Sequence, residues 1–155
     1  MSAQPQPVFS IDKIYVKDLS VEVPNAPEVF LEQAQPQLEV QLATNGARIG
    51  SQDLYEVVVT LTVTAKAGDK TVFLVEAAQA GIFTISGVPA DDMDPVLGIA
   101  CPNILFPYAR ETVASTINRA GFPAVNLAPV NFEAIYAQRV QEQQAQGGPR
   151  IEIAH

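Results

Sequence analysis

The side chains in this 155-residue chain that can do chemistry are few and far apart. It has one cysteine, Cys101, and one histidine, His155, the last residue. A cysteine nucleophile needs a base beside it, and a terminal histidine is poorly placed to be one, so Cys101 reads as a small buried apolar residue. Asp91, Asp92 and Asp94 offer carboxylates for a hard cation, but the further ligands of a calcium loop are absent, and a solvated acidic loop is the simpler reading. Gly46 and Gly50 lack the spacing and the following lysine of a phosphate-cradling loop. Carboxylates alone can do acid–base work, so an enzyme acting on a small apolar ligand is one rival reading. A carboxylate with a shifted pKa beside such a ligand would mark it. Nothing in the sequence calls for a metal or another cofactor.

Composition limits the remaining classes. The length suits a single domain with one core. No apolar run approaches the roughly 20 residues that span a bilayer, so membrane insertion is not expected. The segment Met1 to Pro7 has no basic and then apolar pattern of a signal peptide, and a lone cysteine fits a reducing compartment; a cytoplasmic protein is expected. The net charge is −8, and the nine basic residues are scattered from Lys13 to Arg150, which argues against nucleic acid and suits a partner of positive charge.

The first half of the chain has the pattern of strands. Phe9 to Asp18 is rich in β-branched and aromatic residues. Leu38, Val40 and Leu42 alternate with Glu39, Gln41 and Ala43, as in a strand with one buried face. From Leu54 to Lys66 the alternation is long and regular: Tyr55, Val57, Val59, Leu61, Val63 and Ala65 face one way. Ala67-Gly68-Asp69-Lys70 then predicts a hairpin turn into Thr71 to Ala80, with Gly81 as a bulge or bend before Ile82 to Ile85. The opposite face of this pair, with Val58, Thr60, Thr62, Thr64, Val72 and Leu74, is weakly charged and predicts self-association.

The second half changes period. Phe106, Ala109, Val113 and Ile117 share one helical face, and Asn118, Gly121 and Pro123 end that helix. Pro102 and Pro107 are expected to fix where it begins. Asn131 caps a second helix with Phe132, Ile135, Tyr136 and Val140 along its stripe. Strands followed by helices predict an α+β fold with helices on one side of an antiparallel sheet. Residues 1–7 and the Gln- and Gly-rich 142–155 are expected to be flexible ends of a domain spanning 8–141. Between the Pro24–Pro36 connection and the helices, Phe30, Leu38, Val40 and Leu42 face Ile104, Phe106, Phe132 and Tyr136. They are expected either as core or as a groove for apolar segments of unfolded chains.

Two stretches, Cys101 to Glu111 (CPNILFPYARE) and Asn126 to Tyr136 (NLAPVNFEAIY), carry a resemblance to a known family, and Ile14 to Phe30, Asp53 to Ala65 and Gly81 to Gly87 extend it. The chain resembles the SecB family of protein-export chaperones over roughly Val8 to Gln141. The resemblance implies a four-stranded antiparallel sheet with two helices on one face, and a homotetramer built as a dimer of dimers. The long helices would pack between dimers, with Val113 and Ile117 as expected interface residues. It implies an ATP-independent holdase for unfolded secretory precursors, chosen by slow folding and not by a motif. It also implies the translocation ATPase SecA as partner, docking on Asp18, Glu22, Leu74 and Glu76. Family members often carry a tryptophan in the connection, whereas Glu32 to Pro36 has none, leaving Phe30 and Leu31 as its apolar wall. Some SecB-like proteins serve toxin–antitoxin systems instead, and the acidic positions favour export over that alternative.

Overall fold

The computed structural model describes residues 6–33 and 35–145. Most of the two ends expected to be flexible lies outside the described residues. At the C-terminal end the last helix runs on to Ala145, past the domain limit expected at Gln141. Four strands, β1 (Val8–Glu22), β2 (Gln37–Ile49), β3 (Leu54–Ala67) and β4 (Lys70–Ser86), form an antiparallel sheet in the order β1-β4-β3-β2. The helices follow: a short α1 (Ala90–Pro95), a wide π-type turn (Val96–Ala100), α2 (Cys101–Arg119) and α3 (Phe132–Ala145). The expected α+β architecture is therefore present, with α2 lying across β3 and β4.

The alternation read in β3 sets the core. Tyr55, Val57, Val59, Leu61, Val63 and Ala65 are all buried on the helix side of the sheet, while Glu56, Val58, Thr60, Thr62 and Thr64 face outward and stay half-buried. The β3–β4 hairpin turns on Gly68 and Asp69, and Gly68 has the positive φ of 63° that a two-residue turn demands. From α2, Leu105, Ala109, Val113 and Ile117 close the core from above. Gln79 also points into it, and its amide is satisfied: it donates to the Tyr15 carbonyl at 3.2 Å and accepts from Thr112 Oγ1 at 3.1 Å. That pair of bonds ties β1, β4 and α2 together without an orphaned polar group.

Several local expectations are corrected. Gly81 is neither bulge nor bend, because β4 runs through it in register with Ile14 and Val57. Its missing side chain instead admits α2: a Cβ there would stand 2.9 Å from the Phe83 ring and 3.0 Å from Leu105 Cδ2, both fully buried. Gly81→Ala should therefore destabilise the fold by about 1–3 kcal/mol, read as a lower denaturation midpoint; an unchanged midpoint would contradict this packing. Asp91, Asp92 and Asp94 lie in helix α1 and not in a loop, two of them in the first turn, where carboxylates are favoured. Of the two prolines expected at the start of the long helix, Pro102 stands there and Pro107 does not. The helical run begins at Ala90, Pro102 sits in the first turn of α2, and Pro107 lies inside it with its ring on the exposed side. Val72 is buried among core residues and not on the outer face, because a register irregularity between Ala65 and Lys66 changes the parity at that end of the hairpin.

The helix ends match their sequence signals. Gly121, with φ of 102°, follows the Ala120 C-cap of α2. There the Phe122 N–H donates to the Ile117 carbonyl at 3.2 Å and the Gly121 N–H to the Asn118 carbonyl at 3.1 Å. This is the paired closure of a Schellman motif, which turns Phe122 back onto the core. At α3, the Ala134 N–H donates to Asn131 Oδ1 at 3.0 Å, as an N-cap requires.

Candidate functional site

Two surfaces emerge on opposite sides of the sheet. The first is a groove of about 490 Å³ on the helix side, beside the connection between β1 and β2. That connection crosses the sheet as a strap. Asn25 Nδ2 fastens it to the Thr71 carbonyl at 2.9 Å, and a 3-10 turn, Glu28–Leu31, buries Val29 beneath it. Phe30 then stacks on Phe122 with ring centroids 5.0 Å apart, and Phe73 meets Phe122 at the same separation, tilted by 41°. The Phe30 ring lies over Gly121, where a Cβ would approach to 2.8 Å, so Gly121 both ends α2 and clears this ring. Leu38 from β2, with Val72 and Val125, completes the apolar lining. Phe30 is still 47% exposed and Leu38 43%, so the groove is open.

The eight residues expected around one groove are not brought together in one place. Phe30 and Leu38 line the groove. Leu42 and Phe132 meet in a smaller cleft of about 280 Å³ against α3, with Ile135 and Arg139. Val40 lies between them on the same face of β2 and is exposed. Phe106 and Phe132 are both buried and pack edge to face at 5.8 Å, so they form core. Ile104 is partly buried against the core, and Tyr136 covers Gly98, where a Cβ would come within 2.9 Å of its ring. Val113 and Ile117 are wholly buried against the chain's own sheet and leave no surface for a second subunit. Exposed apolar residues occur instead along the edge strand β1, where Phe9, Ile11, Val16, Leu19 and Val21 are each 43% to 47% exposed; they pair with Ile85, Phe83, Gln79, Ala77 and Val75 and so lie on the helix-bearing face of the sheet.

Phe73, Phe122 and Val125 were missing from the sequence reading. Phe122 had a usable signal: an apolar residue directly after the glycine that ends a helix commonly folds back onto that helix. Val125 lies in an irregular segment and had none.

The second surface is the outer face of the sheet. Here the four residues expected to act together do share one patch. Glu22 on β1 lies opposite Leu74 on β4, and Ser20 lies opposite Glu76, with Asp18 one step further along β1. Asp18, Glu22 and Glu76 are exposed and Leu74 is half-buried; Glu76 accepts a hydrogen bond from Thr62 Oγ1 at 2.8 Å, which orients it. Further along this face Glu56 is held by Lys17, at 2.8 Å, and by the Tyr15 hydroxyl. The Lys17 and Tyr15 hydrogen bonds hold the Glu56 carboxyl below its usual range, and the bond to Glu56 pushes the Tyr15 phenol up to about 12. Lys17 is thereby engaged with Glu56, which leaves the carboxylates of Asp18 and Glu22 unneutralised by it.

Cys101 carries no nucleophile chemistry. It is buried, and burial pushes its thiol up from 9.0 to about 12. Its folded pKa is raised, so the stability it contributes is complete below about pH 9 and is lost as pH rises from about 9 to 12, where only the unfolded chain releases the proton. A thiol reagent at pH 8 should label native protein only at the rate of opening; immediate stoichiometric labelling would contradict a buried site.

The fold thus presents an open aromatic groove on one face of the sheet and an acidic patch with Leu74 on the other. The family model described as preprotein translocase subunit SecB matches residues 2–143. The protein-export protein SecB of Chromobacterium violaceum is 64% identical over 143 residues, covering 92% of this chain and 94% of that protein. That of Neisseria meningitidis serogroup B is 55% identical over 148 residues, covering 95% and 99%. Among solved structures, the SecB-like chaperone of Mycobacterium tuberculosis in complex with a ChAD peptide from the HigA1 antitoxin superposes with a TM-score of 0.60. It is 19% identical and the match covers 79% of this chain and 88% of that one, a likeness of fold. The chain belongs to the SecB family of protein-export chaperones. Among the described residues no helix is long and apolar enough to cross a membrane.

Proposed function

We propose that the protein is a cytoplasmic, ATP-independent holdase with no enzymatic activity. It keeps unfolded secretory precursors competent for translocation and passes them to SecA. The observation that carries this reading is the open groove of Phe30, Leu38, Phe73 and Phe122. Its lining is apolar and aromatic, and burial against it is non-directional, so it accepts many sequences without a motif. The strand edge of β2 beside it also offers backbone groups to an extended segment. The second cleft, at Leu42 and Ile135, lies along the same strand and extends the client path.

The outer patch fits the SecA contact. Two carboxylates, Glu22 and Glu76, flank Leu74, and Asp18 extends the acidic patch along β1, giving long-range steering around an apolar anchor. Because groove and patch occupy opposite faces of the sheet, a held client leaves the SecA contact free. The homotetramer, a dimer of dimers, draws on the exposed apolar strip of β1 in place of Val113 and Ile117. Light scattering of an aggregation-prone precursor tests the reading. Without nucleotide, the protein should suppress scattering at near-stoichiometric amounts, and its native mass should be four times the 16.6 kDa of one chain. Undiminished aggregation would reject the holdase.

A further inference from the structure

The strap that forms one wall of the groove is fastened at two points, and both lie on adjacent residues at one end of the β3–β4 hairpin. Upstream, Asn25 bonds to the Thr71 carbonyl; downstream, Lys70 Nζ donates to Glu32 Oε2 at 2.8 Å. The hairpin thus grips the strap on either side of the turn that carries Phe30. The two fastenings are unlike. Asn25 bonds a backbone carbonyl and is half-buried, whereas the Lys70–Glu32 pair is exposed, at 54% and 39% of its side chains. Phe30, two residues before Glu32, is held by its stacking on Phe122 and is open on its other side.

We infer that Lys70 and Glu32 are positioning residues for client capture: their ion pair holds the strap down so that Phe30 stands as a preformed wall of the groove. The inference rests on the groove being the client site. An exposed ion pair is weak and is screened by salt, but it acts here on an ordering cost. A wall already in place need not be immobilised when the client binds, and affinity rises by that amount. Glu28, on the same turn, adds to the attraction felt by Lys70. Ionic strength therefore reaches an apolar binding site through one surface pair.

The test uses the full-length protein and a short peptide of uncharged, apolar residues, whose own interactions do not respond to charge screening. Affinity is measured at about 0.05 M and about 0.5 M salt for the wild type, Lys70→Gln, and the exchange of Glu32→Lys with Lys70→Glu. The wild type should lose about two- to fivefold in affinity at the higher salt. Lys70→Gln should bind more weakly at low salt and show no such loss. The exchange should recover the salt dependence in part, because Glu28 then opposes the exchanged carboxylate. Without peptide, hydrogen exchange at the Phe30 and Glu32 amides, which donate to the Pro27 and Val29 carbonyls at 3.0 and 3.4 Å, should quicken in Lys70→Gln and slow again in the exchange. An unaltered salt dependence in Lys70→Gln, an exchange that recovers nothing, or unchanged amide exchange would each overturn the inference. Leu38→Asp separates this from the underlying reading. If it binds the peptide as the wild type does, the groove is not the client site; if it fails while the ion-pair variants behave as wild type, the groove stands and the positioning role falls.

Discussion

The double substitution Phe30→Asp with Leu38→Asp is expected to lower the affinity for an unfolded client by about 100- to 1,000-fold, with the fold intact. Both side chains line the groove and both are close to half exposed, so each has apolar area still to bury against a client. Losing that burial costs on the order of 1 kcal/mol per side chain, and the two carboxylates forced against an apolar client together add about 1–2 kcal/mol more. The sum, about 3–4 kcal/mol, converts to two to three orders of magnitude in Kd. The fold should survive, because Val29, Phe73 and Phe122 hold the strap end and neither substituted residue is part of the buried core. Titration calorimetry with a reduced, unfolded precursor reads the loss, and circular dichroism checks the fold. A decrease below about threefold would place the client elsewhere.

The second large effect is on partner docking. Glu76→Lys should weaken SecA binding by at least about tenfold and leave client binding and native mass unchanged. The substitution reverses a charge at the centre of the patch, next to Leu74 and between β1, with Glu22 and Asp18, and β3. It also removes the acceptor that Thr62 fixes at 2.8 Å. A reversed charge at a steered interface turns attraction into repulsion, so the loss should fall mainly on the association rate and should shrink as salt is raised. Glu76 is exposed on the face away from α2, so neither core nor groove is disturbed. Equal affinity for both proteins would remove this patch from the SecA contact.

The sequence carried the framework better than the site. The alternation through β3 was long enough to settle its two faces, and Gly68, Gly121 and Asn131 each marked a turn or a helix end through a backbone requirement that few residues meet. Other signals pointed the wrong way for identifiable reasons. Proline commonly bounds a helix, yet Pro107 is tolerated inside α2 where its ring faces solvent. Val72 changed faces because one irregularity in strand pairing inverts the parity of everything beyond it. An apolar helical stripe looks the same whether it meets its own sheet or a neighbour. Val113 and Ile117, expected at a subunit contact, are therefore core. The groove was only half legible, because Phe73, Phe122 and Val125 come from a strand, a helix end and an irregular segment that share no period. Asp18, Glu22, Leu74 and Glu76, named by resemblance alone, fall on one face of adjacent strands.

We propose that unfolded polypeptide is held in the groove between the strap, β2 and the end of α2. Methyl NMR of the intact assembly, titrated with an unfolded precursor, tests it most directly. Binding should shift and broaden the methyl signals of Val29, Leu38, Val72 and Val125, which line the groove, and leave those of Val58, Leu74 and Ile82 on the outer face unchanged. Perturbations confined to the outer face, with the groove methyls silent at saturating client, would contradict the account.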